Sequence, residues 1–137
     1  MAIQLKDTVR NARLDAIETT GGTTCSFRCY TGAQPADVTQ ANSGTLLVEF
    51  NLPSDWLAAA SGGSKAKAGT WSGTASGGSA STPGHFRIYN STATKDGTTC
   101  IIQGSCGIGS GDISFDGTIT SGQTVTISTF TLTDANA

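Results

Sequence analysis

Apolar and polar positions alternate in two short runs that share a tetrad. In His85-Phe86-Arg87-Ile88-Tyr89-Asn90, Phe86 and Ile88 fall on one face and Arg87 and Tyr89 on the other. Thr98-Thr99-Cys100-Ile101-Ile102-Gln103 follows. Between them Lys95-Asp96-Gly97 offers the positive φ that a tight reversal needs, so the stretch predicts a β-hairpin. The tetrad occurs earlier as Phe27-Arg28-Cys29-Tyr30. Residues 45–52 carry the strongest strand pattern. Leu46, Val48, Phe50 and Leu52 point inward, Leu47, Glu49 and Asn51 outward, and Pro53 ends the run. A single amphipathic strand with a long return loop cannot bury its own apolar face, so the two copies predict sheet packing on sheet.

A period near 3.6 appears once. Over residues 6–20, Leu5, Val9, Ala12 and Ala16 form a stripe with Ile17 beside it, and Arg10, Arg13, Asp15 and Glu18 form the wet side. Asp7 is the expected N-cap, Gly21-Gly22 the stop, and Leu14 a partly exposed exception. The narrow stripe is expected to pack on a flat surface, the chain's own sheet.

Elsewhere the elements are short. Residues 23–30 read as a strand, Thr31–Pro35 as a turn, 36–44 as a polar loop, and Ser54–Ala60 as one or two helical turns capped by Ser54. Residues 61–84 are a Gly/Ser-rich segment expected to be flexible, with one strand inside it at Gly69–Ala75. Ile113–Phe115 and Ile119 flank an Asp116-Gly117 turn. In 123–133 the inward parity changes after Val125 and Ile127 to Phe130 and Leu132, which predicts a β-bulge near Ser128-Thr129. The tail 134–137 is expected to fray. Together these predict a mainly β protein: residues 1–137 as a single antiparallel β-sandwich or jelly-roll-like domain with a short N-terminal α-helix.

Composition narrows function. Asp, Glu, Lys and Arg make 13% of the 137 residues, about half the usual share, and the net charge is −2. A neutral polar surface suits assembled or adhesive β proteins and speaks against nucleic-acid binding, which needs a basic patch. The N-terminus lacks the basic start and long apolar run of a signal peptide, and no apolar run matches a membrane span, so synthesis in a cytosol is expected. Cys25 and Cys29 lie on one strand roughly 13 Å apart, too far to bridge. Cys100 and Cys106 could meet only if the chain reverses at Gly104-Ser105. The spacing lacks a zinc knuckle, so buried free thiols are the simpler reading, with the disulfide state open.

No catalytic constellation emerges. His85 is the single histidine, and no serine carries a nucleophile-elbow motif. Asp55, Asp96, Asp112 and Asp116 do not match a calcium loop, and Gly107–Gly111 lacks the Lys-Ser/Thr of a phosphate loop. No catalytic residue, cofactor or metal is therefore expected. Trp56 and Trp71 are the candidate interaction residues, each beside a small-residue loop; a core or rim position is the favoured reading for both.

Several phrases distributed nearly end to end carry a resemblance: Arg10–Glu18, Tyr30–Pro35, Ser43–Leu47, Leu52–Trp56, Gly84–Tyr89 and Gly122–Val125. Together they resemble a family of small virion-associated proteins of tailed bacteriophages. The resemblance implies a head decoration (cement) protein or another minor virion part. It also implies partners in the major capsid protein and copies of itself, and placement on the virion after synthesis in the host cytoplasm. It brings no catalytic residues. The competing expectation is a carbohydrate- or receptor-binding module displayed on a head fibre or tail, resting on Trp56 and Trp71.

Overall fold

The structure is a computed structural model and describes residues 3–135. Helix α1 spans Asp7–Gly21 and ends as expected, with Gly22 at φ +78° returning its N–H to Glu18 O. Its start differs from expectation: Asp7 is the first helical residue rather than the N-cap, and Lys6 precedes it without a side-chain cap. The strands are β1 (Ser26–Tyr30), β2 (Leu46–Asn51), β3 (Ser64–Ala66), β4 (Ser72–Thr74), β5 (His85–Tyr89), β6 (Cys100–Ile108), β7 (Ile113–Phe115), β8 (Thr124–Thr126) and β9 (Thr131–Thr133). One sheet has the order β2-β1-β5-β6-β7, and two ribbons pair β3 with β9 and β4 with β8.

The protein is mainly β with one helix, and the large sheet is mixed rather than antiparallel. β7 runs parallel to β6, with Cys106 opposite Ile113. A parallel neighbour ordinarily needs a long crossover. Here residues 109–112 suffice because Gly109 and Gly111 both take positive φ, hooking the chain back beside Cys106 before it reverses again. β6 itself runs straight through Gly104-Ser105, so the reversal that would have joined Cys100 to Cys106 does not occur.

The predicted hairpin forms, as antiparallel β5 and β6. The two tetrads turn out to be partners: β1 and β5 lie side by side, Phe27 opposite Ile88 and Cys29 opposite Phe86. Gly97 does not take positive φ. Its lack of a Cβ serves a close approach instead, since a Cβ there would lie 2.1 Å from Thr39 O.

Phe50, Phe27 and Phe86 stack across β2, β1 and β5, with centroids 4.9 and 5.8 Å apart. Phe130 meets Phe86 edge-on at 5.7 Å and Trp71 at 5.1 Å. The core therefore sits between one face of the large sheet and the two ribbons. Leu47, expected outward, is buried because residues 76 and 77 fold over it and hydrogen-bond its carbonyl.

Three further expectations are corrected. Ser54–Ala60 is extended rather than helical, with Leu57 bridging Lys67. The Gly/Ser-rich stretch 61–84 contributes β3 and β4 and buries Lys65, Trp71 and Ala75. Residues 123–133 do not form one bulged strand: the chain leaves the β4 ribbon after Thr126 and joins the β3 ribbon at Thr131. Of the tail 134–137, Asp134 is held in place, its N–H donating to Gly63 O and its carbonyl accepting from Arg10, whereas residues 136 and 137 lie outside the described residues.

Candidate functional site

The face of the large sheet turned away from the aromatic core is polar, and a loop covers it. Pairing of the tetrads sets Arg28 directly opposite Arg87. Like charges in that position repel, and each guanidinium turns to different partners. Arg28 pairs with Glu49 on β2, whose other oxygen lies 3.3 Å from Lys95 Nζ. Arg87 is fully buried and donates to Val38 O at 2.8 Å, Gln40 O at 3.0 Å and Asn42 Oδ1 at 2.7 Å.

Those three acceptors belong to residues 31–45, an Ω-loop whose ends are joined by Thr31 N–H to Thr45 O and Thr45 N–H to Thr31 Oγ1. His85 Nδ1 lies 2.9 Å from Gly32 O, and Gln103 Nε2 donates to Pro35 O at 2.8 Å. Tyr89 OH donates to Asn42 Oδ1 at 2.6 Å and lies 2.9 Å from Tyr30 OH. The loop is thus strapped down by polar side chains of β5 and β6 through its own carbonyls.

Burial lowers the His85 pKa, and the Arg87 charge adds to the effect against the Gly32 carbonyl. The ring is fully enclosed and stacks on Tyr30 at 5.1 Å. Burial also pushes the Tyr89 hydroxyl well above its ordinary range. These groups hold the strap, and His85 has no access to substrate from solvent.

No known family model, curated protein or solved structure matches this chain.

Both candidate interaction tryptophans lie in the core, one of the positions favoured for them from sequence, and not at a surface. Each is fully buried, 6.3 Å from the other between ring centroids. Each indole N–H is satisfied internally, Trp56 by Gly22 O and Trp71 by Ala68 O, both at 3.1 Å. A sugar or receptor cannot reach either ring.

The four cysteines are free and buried. Cys25 donates to Gly21 O at 3.3 Å, and burial pushes its thiol up to about 11. Cys100 lies beside the Arg87 guanidinium, while Cys29 and Cys106 are neighbours in the core. Spread over three places, they form no metal cluster, and no group of three or more His, Cys, Asp or Glu suited to a metal occurs among the described residues.

The helix faces the opposite way from its predicted orientation. Its polar side meets the body: Lys65 Nζ, 2% exposed as a residue, reaches Asp15 Oδ1 at 2.7 Å and Glu18 Oε2 at 3.0 Å. Asp15, Glu18 and Asn11 also accept the backbone N–H groups of Ala60, Leu57 and Gly63. Arg10 donates to Asp134 O at 2.7 Å. Leu14 is buried, while Ala12 and Ala16 are exposed, Val9 is 46% exposed and Ile3 83%. Val9, Ala12 and Ala16 of the apolar stripe are therefore presented outward, while Ile17 beside it packs against the core. The readable signal for this docking is the pair Lys65 and Lys67 in a tract of small residues, of which Lys65 turns inward.

Proposed function

We propose that this chain is a structural virion protein of a tailed bacteriophage, a head decoration (cement) protein. It is made in the host cytoplasm and binds the major capsid protein and further copies of itself on the shell. The observation that carries the reading is the helix that spends its charges on its own body and offers Val9, Ala12 and Ala16 outward, with Ile3 ahead of them. Apolar surface of this kind suits a permanent contact. Many weak contacts on a shell add through multivalency. The dispersed phrases named above give the reading its partner. Catalysis, cofactors, nucleic acid and membrane have no part in it. We read the layering, one five-stranded sheet over two ribbons, as a two-layer sandwich.

The test is the copy number of the chain in purified virions, by quantitative mass spectrometry against the major capsid protein. A number comparable to the capsid protein is expected. A number matching only a tail or a vertex moves the chain to a connector or fibre, and absence from virions overturns the reading. Val9→Glu, which places a charge on the outward stripe, is expected to lower occupancy on shells while leaving thermal unfolding unchanged.

A further inference from the structure

A cavity of about 200 Å³ opens between the edge of the large sheet and the β4–β8 ribbon. Its walls are Phe115 and Asp116 on one side and Gln123, Thr124, Thr126 and Ser128 on the other. β7 is the last strand of its sheet and β8 pairs only with β4 among the described residues, so no further strand fills the space between them. The geometry points to this groove as a binding site for a neutral carbohydrate, one pyranose ring in size.

The chemistry of the lining selects that class. Asp116 is exposed, and neither Lys, Arg nor His lines the groove, so an anion would meet a carboxylate with nothing to offset it. The rim is mostly hydroxyl, amide and carboxylate, which disfavours an apolar ligand. The side chains of Asp116, Thr124 and Ser128 make no hydrogen bond or ion pair within the described residues. Gln123 uses only its Oε1, accepting Thr120 N–H at 3.0 Å, which leaves the amide N–H₂ as a donor. A carboxylate accepts, an amide donates, and hydroxyls do both, which matches a ring of alcohols. Half-buried Phe115 supplies an apolar face for the C–H side of a sugar ring. The inference stands on this groove alone and goes beyond the decoration reading.

The experiment is an amide-resolved NMR titration of the whole chain with methyl α-D-glucoside, methyl α-D-mannoside, methyl β-D-galactoside and N-acetylglucosamine, and with inorganic phosphate as control. Shifts confined to residues 114–117 and 123–128, saturating at roughly millimolar concentration with at least one sugar, are expected. Asp116→Ala should weaken that binding about tenfold. Thr124→Val provides the same check if Asp116→Ala does not fold. No shift at these amides with any of the four sugars overturns the proposal. Unchanged affinity in the variant, or phosphate moving the same amides as strongly, also overturns it. A negative result leaves the virion copy number, and the reading it tests, untouched.

Discussion

Arg87 has no carboxylate bonded to it; three loop oxygens share its charge, with Asp37 acting at longer range. Only a planar fork spans acceptors spread over residues 38–42, so lysine is not an equivalent. Arg87→Met should cost about 3 kcal/mol, because it strands buried carbonyls as well as losing charged hydrogen bonds. Thermal unfolding gives the magnitude, and faster hydrogen exchange within 31–45 shows where the loss falls. Arg87→Lys should recover less than half. His85 adds a pH dependence. Its folded pKa lies below the ordinary 6.5, so above that value neither state is charged and the effect is absent. As pH falls below about 6.5 the unfolded chain takes the proton first, and stability declines until the folded pKa is passed. His85→Gln should flatten that part of the stability profile measured by denaturant titration.

At the level of elements, α1 is attached by ions and caps together with Leu14 and Ile17, rather than by Val9, Ala12 and Ala16. The hydrogen bond from Lys65 is the chief cause holding Asp15 below its usual range. Burial pulls Lys65 down, but its bonds to Asp15 and Glu18 outweigh that and leave it raised. A lowered carboxylate contributes stability above its ordinary value, and the contribution is lost as pH falls through the folded value. α1 should therefore loosen below about pH 4, read as faster cleavage after Arg10 and Arg13 by an acid-tolerant protease of basic specificity. Asp15→Asn should show the same loosening at neutral pH. The helix's extent was legible from its period and from Gly21-Gly22, but its facing was not. Helical charges opposite an apolar stripe read as solvated, whereas Lys65 from a distant strand draws Asp15 and Glu18 inward. The parity change between Ile127 and Phe130 was legible too. Sequence could not say whether it marked a bulge or a passage between two ribbons, because that depends on partners far away in the chain.

Across the whole molecule, small residues mark close packing. A Cβ on Gly73 would lie 2.8 Å from Phe50, and one on Gly77 would lie 2.3 Å from Leu46 O. The Gly/Ser-rich stretch is thus small where β2 and its neighbours approach, and composition alone could not separate that use from slack chain. Trp71 joins the Phe50–Phe27–Phe86 stack to Phe130 and Trp56, so Trp71→Ala should cost about 3–5 kcal/mol, measurable as a large fall in Tm.

The division of residues 124–133 between two ribbons governs how the protein is made. Lys65 and Trp71 leave the ribosome long before Val125, Phe130 and Leu132, which complete the ribbons that cover them. Until those residues emerge, the nascent chain carries an open aromatic surface and unpaired strand edges, the features that draw chaperones and favour aggregation. Ribosome-bound chains with only residues up to 123 outside the exit tunnel should therefore remain protease-sensitive throughout 61–84, whereas chains whose residue 133 is carried clear of the tunnel by a C-terminal linker should be protected.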